Sequence, residues 1–292
     1  MQILAEVVLD ATLDTLKLVP FLFVTYLVME ALEGAAGGRA LRVIEHAGPF
    51  GPVLGALLGV VPQCGFSAAA ATLYAGRVVS VGTLLAVFLS TGDELLPVFL
   101  SEGASLSVLA RILAVKALIA MALGLAVDVA MRAMHRAGDG HAHIHELCER
   151  EGCGCDDDHD HHGVLASAVR HTLQVTLFIF LVTLAIGAVI EVVGHDALGA
   201  FMAGNPVISV LAAGLVGLIP NCAASVVVAE LFIEGTIGSA ALLAGSLVSA
   251  GVGMLVLFRT NRGVGHNLAF AAGLYVAGVA CGLVMLATGL SF

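Results

Sequence analysis

The chain is 292 residues long, 59% apolar and only 12% charged, with a mean hydropathy of +1.03. Those values lie outside the soluble globular range and point to an all-α integral membrane protein whose partner is the lipid bilayer rather than a nucleic acid. The net charge of −10 adds little, because many of the acids sit in one polar loop.

In chain order, apolar segments fall near 11–33, 50–76, 78–100 and 105–131, then near 165–192, 205–233, 236–258 and 265–290, with a polar stretch between the two sets. Glu6, Asp10 and Asp14 stand where a signal peptide would carry Lys or Arg, so the first span is expected to stay in the mature protein. The pattern divides the chain into a first transmembrane repeat over 1–131, a loop over 132–163 and a second repeat over 164–292. A shift of about 158 residues superposes Gly59, Pro62, Cys64 and Ser67 on Gly217, Pro220, Cys222 and Ser225, and Glu33 on Glu191. Such self-similarity marks a duplicated transporter fold.

The second segment of each half carries Pro62 or Pro220 near its middle, where the ring removes an amide donor and obstructs the helix. Each flanking piece is about eleven residues, roughly 17 Å against about 30 Å of hydrocarbon, so two half-helices meeting at a tip are expected. Such a pair begins and ends on one side, each half then crosses an odd number of times, and the two repeats are inverted. Charge placement agrees: with the N-terminus outside, Arg39, Arg42, Arg77, Arg132, Arg136, Arg150, Arg170, Arg259 and Arg262 fall inside, while Glu102, Glu191, Asp196, Glu230 and Glu234 mark the outer loops.

A broken helix at membrane depth is tolerated only where it is buried or lines a cavity. At the two tips Gln63 and Asn221 supply amide oxygens, and Cys64 and Cys222 supply sulfur, a strong metal ligand once deprotonated. Inversion brings the tips together near the midplane, and mixed sulfur and oxygen ligands suit a thiophilic or borderline metal. A lone membrane cysteine is ordinary core; repetition within Pro-amide-Cys makes this pair a candidate site. Cys281 lacks that context and reads as core, and the remaining cysteines crowd into the loop, so no disulfide framework is expected.

Asp93 and Glu94, within Ser90-Thr91-Gly92-Asp93-Glu94, place two carboxyls inside an apolar span, where ionisable groups are costly. Pro97 should free the carbonyl of Asp93 as a further ligand. On the next helix Arg111 and Lys116 project at depths close to Glu94 and Asp93. The four form either an internal ion-pair set or a cation and proton site in which Lys116 supplies positive charge when the cargo is absent. Gly251 and Val252 occupy the matching positions of the second half, so the carboxyl function is not duplicated.

The loop carries His141, His143, His145, Cys148, Cys153, Cys155, His159, His161 and His162 among Asp156, Asp157, Asp158 and Asp160. Imidazole and thiolate are the usual zinc ligands, but paired two-residue Cys spacings are missing, so a cytoplasmic metal-collecting segment is expected rather than a folded zinc module.

Gly59-Val60-Val61-Pro62-Gln63-Cys64-Gly65-Phe66-Ser67, followed by Ser90-Thr91-Gly92-Asp93-Glu94, resembles the ten-transmembrane heavy-metal exporter family, related to ArsP-type arsenic permeases and often labelled as manganese transporters. The resemblance covers nearly the whole chain and implies a bacterial or archaeal inner-membrane exporter of a toxic metal, with five helices per half. It does not identify the metal, and two thiols argue mildly against manganese.

With no Gly-rich nucleotide loop and no large soluble domain, neither an enzyme nor an ATP-driven pump is expected. The expected activity is proton-coupled efflux of a divalent metal (Mn, Zn, Cd or Co) by alternating access. The metal is the substrate and no cofactor is required; a homodimer is compatible. Alternatives are a permease for trivalent or organic arsenicals or another oxyanion, and a metal sensor that uses only the loop.

Overall fold

A computed structural model describes residues 50–61, 64–92, 95–134, 161–193, 204–261 and 263–292, with parts of the first apolar segment between Val8 and Leu27; within 161–193, side chains are described over 168–186 except at 171. The described residues are all-helical. The first half contains α1 (Gly51–Gly59), α2 (Cys64–Ala75), α3 (Val81–Ser90), α4 (Leu95–Ser101) and α5 (Leu106–Ala133). After α6 (His161–Val193) come α7 (Pro206–Gly217), α8 (Cys222–Ile233), α9 (Ser239–Val248), α10 (Val252–Thr260) and α11 (Val264–Thr288).

The repeat is visible in these boundaries: α2 and α8, α3 and α9, and α5 and α11 each start 158 residues apart. Local chemistry accounts for several of the starts. Proline opens α1 and α7, where its missing N–H has no helical partner to lose. Ser80, Asn205 and Asn221 cap α3, α7 and α8 by accepting from backbone amides of the first turn. The expected break in the second segment is present in both halves, between α1 and α2 and, at Pro220, between α7 and α8.

The third segment is broken too, between α3 and α4 and between α9 and α10. Nothing in the hydropathy pattern predicts this, and in the second half no proline marks it. The break there is Ser249-Ala250-Gly251, with Gly251 at φ 50° and ψ −140°, a conformation that an added Cβ disfavours.

Among the described residues, five stretches are long and apolar enough to cross a membrane: Val81–Ser101, Leu106–Ala133, Ala168–Ile186, Ser239–Thr260 and Val264–Thr288. Burial sorts them into layers. The broken pairs α3–α4 and α9–α10 are 81% and 94% buried over their most apolar window, against 28% for α5, 24% for α6 and 33% for α11. The broken helices therefore form the centre, and the continuous ones turn Leu118, Leu173, Leu177, Val276 and Val284 outward.

Glycines set how the short helices run. Cβ atoms built on Gly51, Gly55 and Gly59 would meet Thr83, then Thr83 and Val87, then Val87 and Ser90, so α1 runs alongside α3 in the same direction. The chain then doubles back through α2 to the start of α3, so the α1–α2 hairpin begins and ends at one end of the bundle. In the second half Gly217 lies against the carbonyl of Gly245, which gives α7 and α9 the same relation.

The halves interlock. α2 packs on α10, where a Cβ on Gly253 would stand 2.7 Å from that of Ser67, and α8 packs on α4, where the rings of Phe99 and Phe232 stack with centroids 6.3 Å apart. Each tip helix thus leans on the outer part of the other half's broken span, while α6 touches both α8 and α10.

Candidate functional site

Cys64 is the first residue of α2 and Cys222 the first of α8, so each break delivers its thiol at a helix N-terminus. The two sulfurs stand 3.7 Å apart. Their surroundings match across the repeat: Ser67 donates its hydroxyl to the carbonyl of Cys64 at 2.8 Å, and Ser225 donates to that of Cys222 at 2.8 Å. Cys222 is buried and Cys64 half-buried. The positive ends of two twelve-residue helices converge on the pair, a field that favours negative charge on sulfur.

The spacing has chemical content. Two sulfurs bound at about 2.3 Å to one tetrahedral metal ion stand about 3.8 Å apart. The two thiols are thus already at the separation of one edge of such a site. Among the described residues no group of three or more His, Cys, Asp and Glu side chains could hold an ion.

One helical turn beyond Cys222, Ser225 lines a small cavity of about 10 Å³ together with Thr91, Gly92, Lys116, Ser246 and Ser249 and the apolar side chains of Leu95, Val228 and Leu242. Lys116 is fully buried, and its ammonium donates to the carbonyls of Thr91, at the C-terminal end of α3, and of Ser246, in the last turn of α9, the latter at 2.8 Å. It therefore joins the ends of the two central helices across the repeat boundary.

Of the residues expected to form the site, Cys64, Cys222, Thr91 and Lys116 gather around these two features. Asn221 lies beside them, but its amide has structural work: Oδ1 accepts from the Ala223 amide at 2.9 Å, and Nδ2 donates to the carbonyl of Thr183 at 3.2 Å. Ser90 is buried with its hydroxyl turned back to Ala86 and Val87 of its own helix. Arg111 is exposed on α5 and does not line the cavity. Five positions separate it from Lys116, which places the two on different faces of the helix. Gln63, Asp93, Glu94, His141, His143, His145, Cys148, Cys153, Cys155 and His159 lie outside the described residues, as do the side chains of His161, His162 and Glu191.

Ser225, Ser246 and Ser249 were not expected at the site, since a serine in an apolar helix is an ordinary residue until something faces it. Thr183 was also unexpected. Its carbonyl holds Asn221, and its buried hydroxyl has no hydrogen-bond partner among the described residues. Against models of protein families, curated proteins and solved structures, the chain finds no match.

Proposed function

We propose that the chain is a secondary-active exporter of a divalent metal ion, of the zinc, cadmium or cobalt class before manganese, working by alternating access in a bacterial or archaeal cytoplasmic membrane. The observation that carries this reading is the 3.7 Å separation of the Cys64 and Cys222 sulfurs, one from each half, at the convergence of two helix tips. Thiolate pairs select soft and borderline ions, while manganese prefers oxygen.

Alternating access calls for inverted halves, and three contacts support inversion. Asp128 accepts from Ser80 and from the Gly82 amide, which puts the Arg77 turn beside the Arg132 end of α5. The packing of Gly253 on Ser67 starts α10 beside α2, so that Arg259 ends near Arg77. The Phe99–Phe232 stack brings Glu102 near Glu234. Arginine ends on one side and glutamate ends on the other match a cytoplasmic and an external face, with the N-terminus outside and the His-rich loop inside.

In this cycle the loop gathers the ion, the sulfur pair receives it, and protonation of Asp93 or Glu94 from outside weakens the site. Full-length protein in proteoliposomes loaded with zinc, cadmium, cobalt or manganese tests the reading. Cys64→Ala and Cys222→Ala should each weaken the apparent affinity for the transported ion about tenfold or more. Wild-type rates and affinities for every ion in both variants would remove the basis of the proposal.

A second reading rests on the same pair. Two sulfurs with no third His, Cys, Asp or Glu beside them among the described residues also suit a trivalent arsenical, which binds thiols covalently. Uptake of arsenite or an organic arsenical by the same vesicles, with no movement of the divalent ions, would favour it.

A further inference from the structure

We infer that Cys64 and Cys222 form a redox modification site, in which a hydroperoxide joins the two thiols in a disulfide between the halves of the chain. Three features of the pair carry this. The sulfurs stand 3.7 Å apart and a disulfide needs about 2.05 Å, so they must close by roughly 1.7 Å. Each cysteine is the first residue of its helix, so the preceding turn that restricts χ1 inside a helix is missing, and a change of rotamer can cover that distance. Their burial is unequal. Cys64 is half-buried and Cys222 buried, which suits one sulfur that an oxidant reaches and a second that resolves it. Helix N-termini stand behind both, the setting in which reactive thiols occur.

With hydrogen peroxide the steps balance. The Cys64 sulfur attacks one peroxide oxygen, the O–O bond breaks, and the departing hydroxide takes the thiol proton as water, leaving a sulfenic acid. The Cys222 sulfur then attacks that sulfur: the S–S bond forms, the S–O bond breaks, and hydroxide leaves as water with the Cys222 proton. Two thiols are oxidised and one peroxide is reduced to two waters. Because α2 rests on α10 and α8 on α4, the new bond ties the two interlocked helix pairs to each other. Cys281 makes the comparison: it is also half-buried, but Leu123 stands 158 positions before it, so exposure alone would oxidise it as readily as Cys64.

The disulfide stands on the geometry of the pair, whereas its consequence rests on the proposed function. A linked pair has no thiolate to offer a metal ion, so oxidation switches that site off and a bound ion shields it. Full-length protein carrying Cys148→Ser, Cys153→Ser and Cys155→Ser, which keeps three cysteines, is treated with hydrogen peroxide in detergent, denatured, alkylated and weighed. Alkylation should fall from three thiols per chain to one and return to three after dithiothreitol, and non-reducing peptide mapping should join the peptides of Cys64 and Cys222. Adding Cys222→Ser should abolish the link and leave Cys64 as a sulfenic acid that dimedone traps. Cadmium added before the peroxide should slow the linkage; linkage at an unchanged rate would uphold the disulfide and count against the metal reading alone. Three alkylated thiols after peroxide, a link to Cys281 as frequent as that to Cys222, or links only between separate chains would overturn the assignment.

Discussion

Asp128 shows how one charged side chain is accommodated at the edge of an apolar bundle. It is nearly buried, accepts from the Ser80 hydroxyl at 2.6 Å and from the Gly82 amide at 2.8 Å, and so ties the last turns of α5 to the cap of α3. Replacing it with alanine leaves the Gly82 amide without an acceptor, a loss expected to cost about 1–3 kcal/mol. Thermal unfolding in detergent should show Asp128→Ala below wild type and Asp128→Asn, which keeps one acceptor oxygen, between the two. Cys64 and Cys222 differ in kind, since the proposed metal reading asks for sulfur at the first residue of both half-helices. Their alanine variants should lose metal affinity with little change in melting, a separation of readouts that a purely structural pair would not give.

At the scale of elements, the breaks decide where chemistry can happen, and glycine decides how closely the pieces approach. A Cβ on Gly217 would collide with the carbonyl of Gly245, where neither partner is a flexible side chain. Gly217→Ala should therefore push α7 from α9 and cost about 1–3 kcal/mol. Gly251→Ala acts through the backbone instead, because φ 50° with ψ −140° strains any L-residue by about 1–3 kcal/mol. Both losses can be read as a lower Tm of the purified full-length protein. Gly251→Ala should in addition disturb the Lys116 cavity, since Ser249 and the α9 end sit directly before the turn.

For the whole molecule, the interlock of α2 with α10 and of α8 with α4 means that neither half completes its own core. The proposed inversion makes a labelling prediction. In a cysteine-free background, Arg77→Cys, Arg132→Cys and Arg259→Cys should react with a membrane-impermeant maleimide only from the cytoplasmic face, and Glu102→Cys and Glu234→Cys only from outside. Reaction of Arg77→Cys and Glu234→Cys, which lie at matching places in the two halves, from the same face would rule the inversion out.

Composition alone pointed to a membrane-embedded protein, because 59% apolar and 12% charged residues lie outside what water-facing folds ordinarily carry. Proline and the 158-residue register located the first pair of breaks, since a missing amide and a ring clash are local effects that sequence displays. The approach of Cys64 to Cys222 was expected from that register, but its 3.7 Å spacing depends on how four short helices pack and could not be read from either half. Gly251's break, the outward turn of Arg111 and the serine oxygens around Lys116 were likewise settled only by tertiary structure. A residue type states what a side chain can bond, whereas the folded chain sets which groups it faces and which of its lone pairs remain free.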